Sequence, residues 1–199
     1  MQKQLKAIKK DLFKQSRDAR LYRTKLYLNN QAEYFNQLTD EIGKFITRAH
    51  RKGLTPLIRL NGTSDIRFEN IGFYKNGNYY RNIMEFFPDL QFYDYTKIPN
   101  REKSINGIQS FPKNYDLTFS YSGAKGFEKF NDRALREGWR VAVVFDKVEN
   151  IPVTFHGRKV VSGDDTDIRH LDAKDVIVSL YAKGKARKDQ SGFVVRNES

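Results

Sequence analysis

The 199-residue chain contains no cysteine. That excludes a disulfide, a thiolate metal site and a cysteine-ligated iron–sulfur cluster within it. No stretch approaches the ~20 consecutive apolar residues of a membrane span. The basic N-terminus lacks the apolar core of a signal peptide. The chain is therefore expected to be cytoplasmic, with no membrane partner. Motifs of fixed catalytic spacing are also missing: there is no G-x-S-x-G, no H-E-x-x-H and no Walker A loop. Of three histidines, neither His50 nor His156 has a neighbour in sequence that suggests catalysis. Acidic residues are scarce at both ends. Residues 1–30 hold nine Lys and Arg against two Asp, and residues 183–199 hold five against two acids, within a total of +12. Such an imbalance attracts polyanions without specifying which.

What is present describes a folded protein. Fifteen Phe and eleven Tyr oppose disorder, and 39% hydrophobic with 30% charged residues is ordinary globular composition. The length favours one α/β domain over 1–199, with a basic N-terminal helix over 1–25 and a β/α core over 26–195. Residues 3–22 have Leu5, Ile8 and Leu12 at helical spacing. Their short apolar stripe predicts a peripheral helix, so that residues 1–18 are dispensable for folding. Residues 31–52 predict a stronger helix, with Phe35, Leu38, Ile42, Phe45, Ile46 and Ala49 on one face, Asn30 as cap and Gly53 as stop.

Five short apolar segments then follow, at 57–60, 90–93, 117–119, 141–145 and 176–180. Helical segments are expected near 78–87 and at 126–137. Strands alternating with helices predict a parallel sheet, either a partial TIM-like barrel or open. Residues 153–162, with His156-Gly157-Arg158 between two β-prone runs, predict an inserted β-hairpin. Residues 98–115 read as a long polar loop.

Polar and ionisable residues recur just after these strands, where parallel α/β folds build ligand sites. Asn61, Thr63, Ser64 and Asp65 follow the first strand, and Asp94, Tyr95 and Lys97 the second. Asp65, Asp94 and Lys97 are candidate catalytic residues, since a carboxylate beside an amine suits acid–base chemistry. The alternative is a structural network at the strand ends. Ser122, Gly123 and Lys125 enter the helix at 126–137, and backbone N–H groups there with a nearby Lys suit phosphate. An ordinary glycine turn is the other reading. Lys183, Lys185, Arg187 and Lys188 form a compact basic loop after the last strand, able to hold phosphates or nucleic-acid backbone, or merely solvated. Asp164, Asp165 and Asp167 are a ligand type that a divalent cation such as magnesium accepts; alternatively they cap turns. With Asn61, Thr63 and Ser64, these residues predict a phosphate-bearing ligand, nucleotide or nucleic acid, at the carboxyl ends of the strands. A noncatalytic protein binding nucleic acid or a host protein through its basic termini is the competing expectation.

The segments RLNGTSDI (59–66), LQFYDYTKIP (90–99), NYDLTFSYS (114–122), VAVVF (141–145), GDDTDIRHLD (163–172) and AKGKARKDQSGFVV (182–195) together resemble a family of phage and mobile-element proteins related to the phage gene product 88 group. The resemblance covers about residues 20–195. It implies a phage, prophage or plasmid context and a bacterial host, and brings no established activity. Members of that family carry a cysteine-rich segment ahead of the region matching Ala19–Lys25, which with a β/α barrel is distantly similar to radical-SAM enzymes. This chain has no Cys there. The resemblance therefore implies either a shortened relative or a start assigned downstream of the usual one, and no cluster bound in the family's way.

Overall fold

The structure, a computed structural model, describes residues 2–102 and 111–196. The long polar loop expected over 98–115 lies outside the described residues from 103 to 110. In chain order the elements are α1 (Gln2–Asn29), α2 (Gln31–Arg51), β1 (Leu57–Ile58), β2 (Phe73–Lys75), β3 (Asn78–Tyr80), α3 (Ile83–Phe86), β4 (Gln91–Thr96), β5 (Tyr115–Ser120), α4 (Glu128–Arg136), β6 (Val141–Phe145), β7 (Thr154–Phe155), β8 (Arg158–Ser162) and β9 (Ile177–Tyr181). Among the described residues no helix is long and apolar enough to cross a membrane. The chain divides into two compact units, Met1–Pro56 with Asn70–Ile83, and Leu57–Glu69 with Met84–Ser199.

The first unit is helical with one β-ribbon. The Asn30 side chain interrupts the helical run and accepts the Glu33 backbone N–H at 3.1 Å, capping α2. Phe35, Thr39, Ile42 and Ala49 form the buried stripe of α2, as a 3.6-residue period requires. Helix α1 continues to Asn29 rather than stopping at residue 22. Its last turns meet α2 through the Tyr27–Tyr34 edge contact at 5.3 Å and the Arg23–Glu41 pair at 3.5 Å.

The helix expected near 78–87 is a correction. Asn78–Tyr80 is a strand paired antiparallel to Phe73–Lys75, and only the single turn of α3 is helical. The cause is Asn76-Gly77, which takes φ +52° and +79°. Two successive left-handed residues make the two-residue turn that matches strand twist. Phe73 then stacks on Phe35 at 4.7 Å and Lys75 reaches Asp40 at 2.8 Å.

The second unit is built on a seven-stranded sheet in the order β1-β4-β5-β6-β9-β8-β7. Every neighbouring pair is parallel except the β7–β8 hairpin. All five expected strands are thus parallel neighbours with their carboxyl ends on one edge. Of the two sheet forms expected, the open one is found: β1 and β7 are free edges and the described strands close no barrel. The expected hairpin is present, and its second strand joins the main sheet beside β9. Among the described residues only the β5–β6 connection carries a crossover helix longer than one turn.

Strand order reverses once. The chain advances from β1 through β4, β5 and β6, passes to the β7–β8 hairpin at the far edge, and returns to β9 between β6 and β8. Register puts Phe92, Leu117, Phe119, Val141, Val143 and Ile177 on one face, all fully buried. Each contributes roughly 1.5–3 kcal/mol of burial. Tyr93, Tyr95, Thr118, Ala142, Val144, Val178 and Leu180 share the other face. After β9 a short turn at Gly184–Lys188 leads the tail back across the carboxyl edge. There the Val195 N–H donates to the Val144 carbonyl at 2.8 Å, and the Asp146 N–H to that of Val195 at 3.1 Å. The tail fits because β5 pairs β6 only at Phe119–Val141 and Ser120–Ala142, leaving the far end of β6 without a neighbour on that side.

Candidate functional site

Two clusters of the expected residues stand on the carboxyl side of the sheet. The first surrounds Asp94, which is inside β4 rather than after it, on the buried face of a strand whose residues alternate. Its carboxylate accepts the Asn61 backbone N–H at 2.9 Å, the Asn61 amide at 3.2 Å and the Tyr115 hydroxyl at 2.8 Å. Burial raises its pKa above the ordinary carboxyl value, and the Tyr115 and Asn61 hydrogen bonds pull it partly back. Ser64 donates to the Asn61 side chain at 2.8 Å, whereas Thr63 is exposed.

Arg101 binds this cluster together. It is fully buried, donates twice to Glu69 at 2.8 Å, and also bonds Asp65, the Ile66 carbonyl (2.7 Å) and Tyr115 (2.9 Å). Burial alone would lower its pKa, but Glu69, Tyr115 and Asp65 hold it raised. Asp65 accepts the Thr96 hydroxyl and the backbone N–H of Lys97, not the lysine amine. The expected pairing of Lys97 with a carboxylate in one cavity is therefore not formed. Its amine lies 3.2 Å from both the carbonyl and the hydroxyl of Ser120. It is flanked by Phe193 at 4.7 Å and Phe127 at 5.4 Å. Burial lowers the Lys97 pKa, with Asp65 opposing. The polar groups of the Asp94 cluster are spent on one another, so it fastens strand ends and leaves little for a ligand.

The second cluster surrounds a cavity of about 550 Å³ at the carboxyl ends of β6, β8 and β9. Val144, Leu180 and Tyr181 come from the strands, Gly163–Asp167 from the loop after β8, and Lys183, Ala186 and Phe193 from the returning tail. The loop lies close to β9 because residue 163 lacks a side chain. A Cβ there would stand 2.4 Å from Val178 Cγ1 and 2.9 Å from the Ser179 carbonyl oxygen. Behind the loop, fully buried Arg169 bonds the Thr166 carbonyl and lies 3.2 Å from Asp172.

Asp164 spans the cavity wall. One oxygen is 2.6 Å from Lys183 Nζ and the other accepts the Tyr181 N–H at 3.1 Å. The Asp164 hydrogen bond raises the Lys183 pKa, and the Lys183 amine lies 4.4 Å over the Tyr181 ring. Asp165 and Asp167 are exposed. Among the described residues no three His, Asp or Glu side chains stand together in a way that could hold a metal ion. The expected set of Asp164, Asp165 and Asp167 lines one wall without converging, because Asp164 is turned to Lys183.

Lys185, Arg187 and Lys188 are exposed on the turn after Lys183, with Arg187 donating to the Ala182 carbonyl. Ser122 is buried and tied to Asn131, Gly123 backs onto Gly192 of the tail, and Lys125 points to solvent. Sequence reasoning missed Arg101, Glu69, Tyr115 and Phe193. Arg101 lies in a stretch whose composition reads only as loop, and nothing near it in sequence marks a buried charge. Phe193 carried a signal, as an aromatic in the Phe193-Val194-Val195 run of the tail.

The model of the family described as Gene product 88 matches residues 6–197. No curated protein and no solved structure matches the chain.

Proposed function

We propose, for a chain that belongs to the Gene product 88 family, that it binds a nucleotide-sized ligand in the cavity at the carboxyl ends of β6, β8 and β9. The observation that carries this is position. The cavity of about 550 Å³ lies where strand order reverses. In open parallel sheets the crevice outside such a reversal is the usual ligand site, and the volume suits one small molecule.

The lining sets the orientation. Asp165 and Asp167 offer exposed carboxylates, which accept hydrogen bonds from sugar hydroxyls and repel phosphate. Lys183, Lys185, Arg187 and Lys188 carry the opposite charge on the turn that borders the cavity. The sugar therefore belongs against the loop at 163–167, and the phosphates toward the turn at 183–188.

The test is calorimetric titration with a nucleoside, its diphosphate and inorganic pyrophosphate. The diphosphate is expected to bind most tightly. Lys183→Ala with Lys185→Ala should weaken it at least tenfold and leave the nucleoside unchanged. Asp165→Asn with Asp167→Asn should erase the advantage of the nucleoside diphosphate over pyrophosphate. Equal affinity for pyrophosphate and diphosphate in the wild-type protein, or no binding of any of the three, would refute the reading.

A further inference from the structure

The chain's charge is concentrated in its first unit. Residues 1–56 and 70–83 hold 15 Lys and Arg against five Asp and Glu, so +10 of the total +12 lies there. Four of the five acids are engaged: Asp18 with Arg17, Asp40 with Lys75 and Glu41 with Arg23, while Glu33 accepts the Gln37 amide. Among the described residues most of the surplus cations are exposed. Lys44, Arg48 and Arg51 recur at three- and four-residue spacing on α2, on the side opposite its buried stripe of Phe35, Ile42 and Ala49. Lys52 follows at the helix end. Among the described residues none of these four has a carboxylate at ion-pair distance. Lys14, Arg20 and Lys25 are likewise exposed on α1.

The same unit exposes aromatic rings. Tyr74 and Tyr79 are 70% and 58% exposed, and form a cross-strand pair with centroids 5.2 Å apart on the β2–β3 ribbon. Phe73 and Lys75, which alternate with Tyr74, turn toward α2, so Tyr74 and its partner occupy the outer side. Tyr22 on α1 is 54% exposed as well.

We infer that this unit is a docking surface for single-stranded nucleic acid. Unpaired cations over two helix faces match a phosphate backbone, and exposed rings offer stacking surfaces to bases that are not already stacked in a duplex. A polyphosphate or an acidic protein surface would use the charge and leave the tyrosines idle. A duplex would hide its base faces from them. The inference is separate from the ligand proposed for the sheet cavity, because no residue of that cavity belongs to this unit.

The experiment measures fluorescence anisotropy of a labelled oligothymidylate of twenty nucleotides between 50 and 300 mM salt, with unlabelled duplex and polyphosphate as competitors. Wild-type protein should bind the oligonucleotide with affinity that falls steeply with salt. Lys44→Ala, Arg48→Ala, Arg51→Ala and Lys52→Ala combined should flatten the log–log slope by about 3, since each single-strand phosphate contact contributes about 0.7. Tyr74→Ser with Tyr79→Ser should weaken the oligonucleotide about tenfold or more and leave polyphosphate competition unchanged. All six positions are exposed, and circular dichroism melts are to check that the variants remain folded. Three results would each overturn the inference: no binding at 50 mM salt, an unchanged slope in the quadruple variant, or tyrosine variants that bind the oligonucleotide as wild type does. Stronger competition by duplex than by the single strand would overturn it too.

Discussion

Replacing Arg101 with Met removes a charge from the middle of the Asp94 cluster while keeping most of the side-chain volume. Arg101 is fully buried and bonds Glu69 twice, Asp65, Tyr115 and the Ile66 carbonyl. The change leaves Glu69, 3% exposed, without its guanidinium partner. Removing one partner of a buried ion pair costs about 3–5 kcal/mol, a large share of the ~5–15 kcal/mol that holds a domain together. With a urea slope of roughly 2 kcal/mol per molar, the midpoint should fall by on the order of 2 M. The assay is urea unfolding of wild type, Arg101→Met, Glu69→Gln and the double variant. If lost charge compensation is the cause, Glu69→Gln should return at least about 1 kcal/mol to the Arg101→Met background. A loss under about 1 kcal/mol, or strictly additive single and double variants, would show that the network contributes only packing.

Burial raises the pKa of Asp94, so its native state tolerates the protonated carboxyl better, and the group's contribution to stability falls as pH rises from about 4 through the folded pKa. Asp94→Asn lacks that fall. Its deficit relative to wild type should be widest near pH 4 and shrink toward pH 7 in urea midpoints, and a gap that widens with pH contradicts the assignment. Gly163→Ala places a methyl group 2.4 Å from Val178 Cγ1 and 2.9 Å from the backbone oxygen of Ser179. It should cost about 1–3 kcal/mol in thermal unfolding and abolish the nucleotide binding proposed for the cavity, whereas a neutral substitution would mean that the loop does not lie against β9. Burial lowers the Lys97 pKa, so its reductively methylated carbon resonance should titrate below the ordinary lysine value of about 10.4. In Phe193→Ala, which opens that amine to water, the resonance should move back upward.

The parallel sheet was legible because its strands are short apolar runs bounded by polar residues, and that pattern depends only on local burial. The hairpin at β7–β8 was legible from His156-Gly157, and the same logic applied to Asn76-Gly77 would have found β2–β3. There, Asn78-Tyr79-Tyr80 carried too little period-2 alternation to displace a helical reading. The open form was not legible, since closure depends on register and on what the edges meet. Asp94 shows the limit most clearly. In sequence it looks like the polar end of a short strand. Its burial is decided by Asn61 and Tyr115, which lie 33 and 21 residues away. Arg101 is a charge whose role exists only because Asp65, Glu69 and Tyr115 converge on it. The cavity has the same origin, since no local pattern reveals that β9 returns between β6 and β8.

Net charge is a poor guide to either proposed site until it is placed on the fold. A total of +12 suggests a chain that attracts anions everywhere, yet the second unit holds only +2 of it. At the cavity wall three aspartates face one lysine, so the local sign is opposite to the global one. That difference has a measurable consequence. At the proposed docking surface, cations on the helices of the first unit would neutralise phosphates by releasing condensed counterions, and affinity for a single strand should then fall steeply with salt. A ligand held at the cavity by sugar hydroxyls on Asp165 and Asp167, with few phosphates to pair, releases few counterions and should lose much less over the same range. Titrating one preparation with a nucleoside diphosphate and an oligonucleotide at 50 and 300 mM salt compares the two slopes directly. Equal slopes would mean that both anions find the same basic surface, and the cavity would then have to be given up as the nucleotide site.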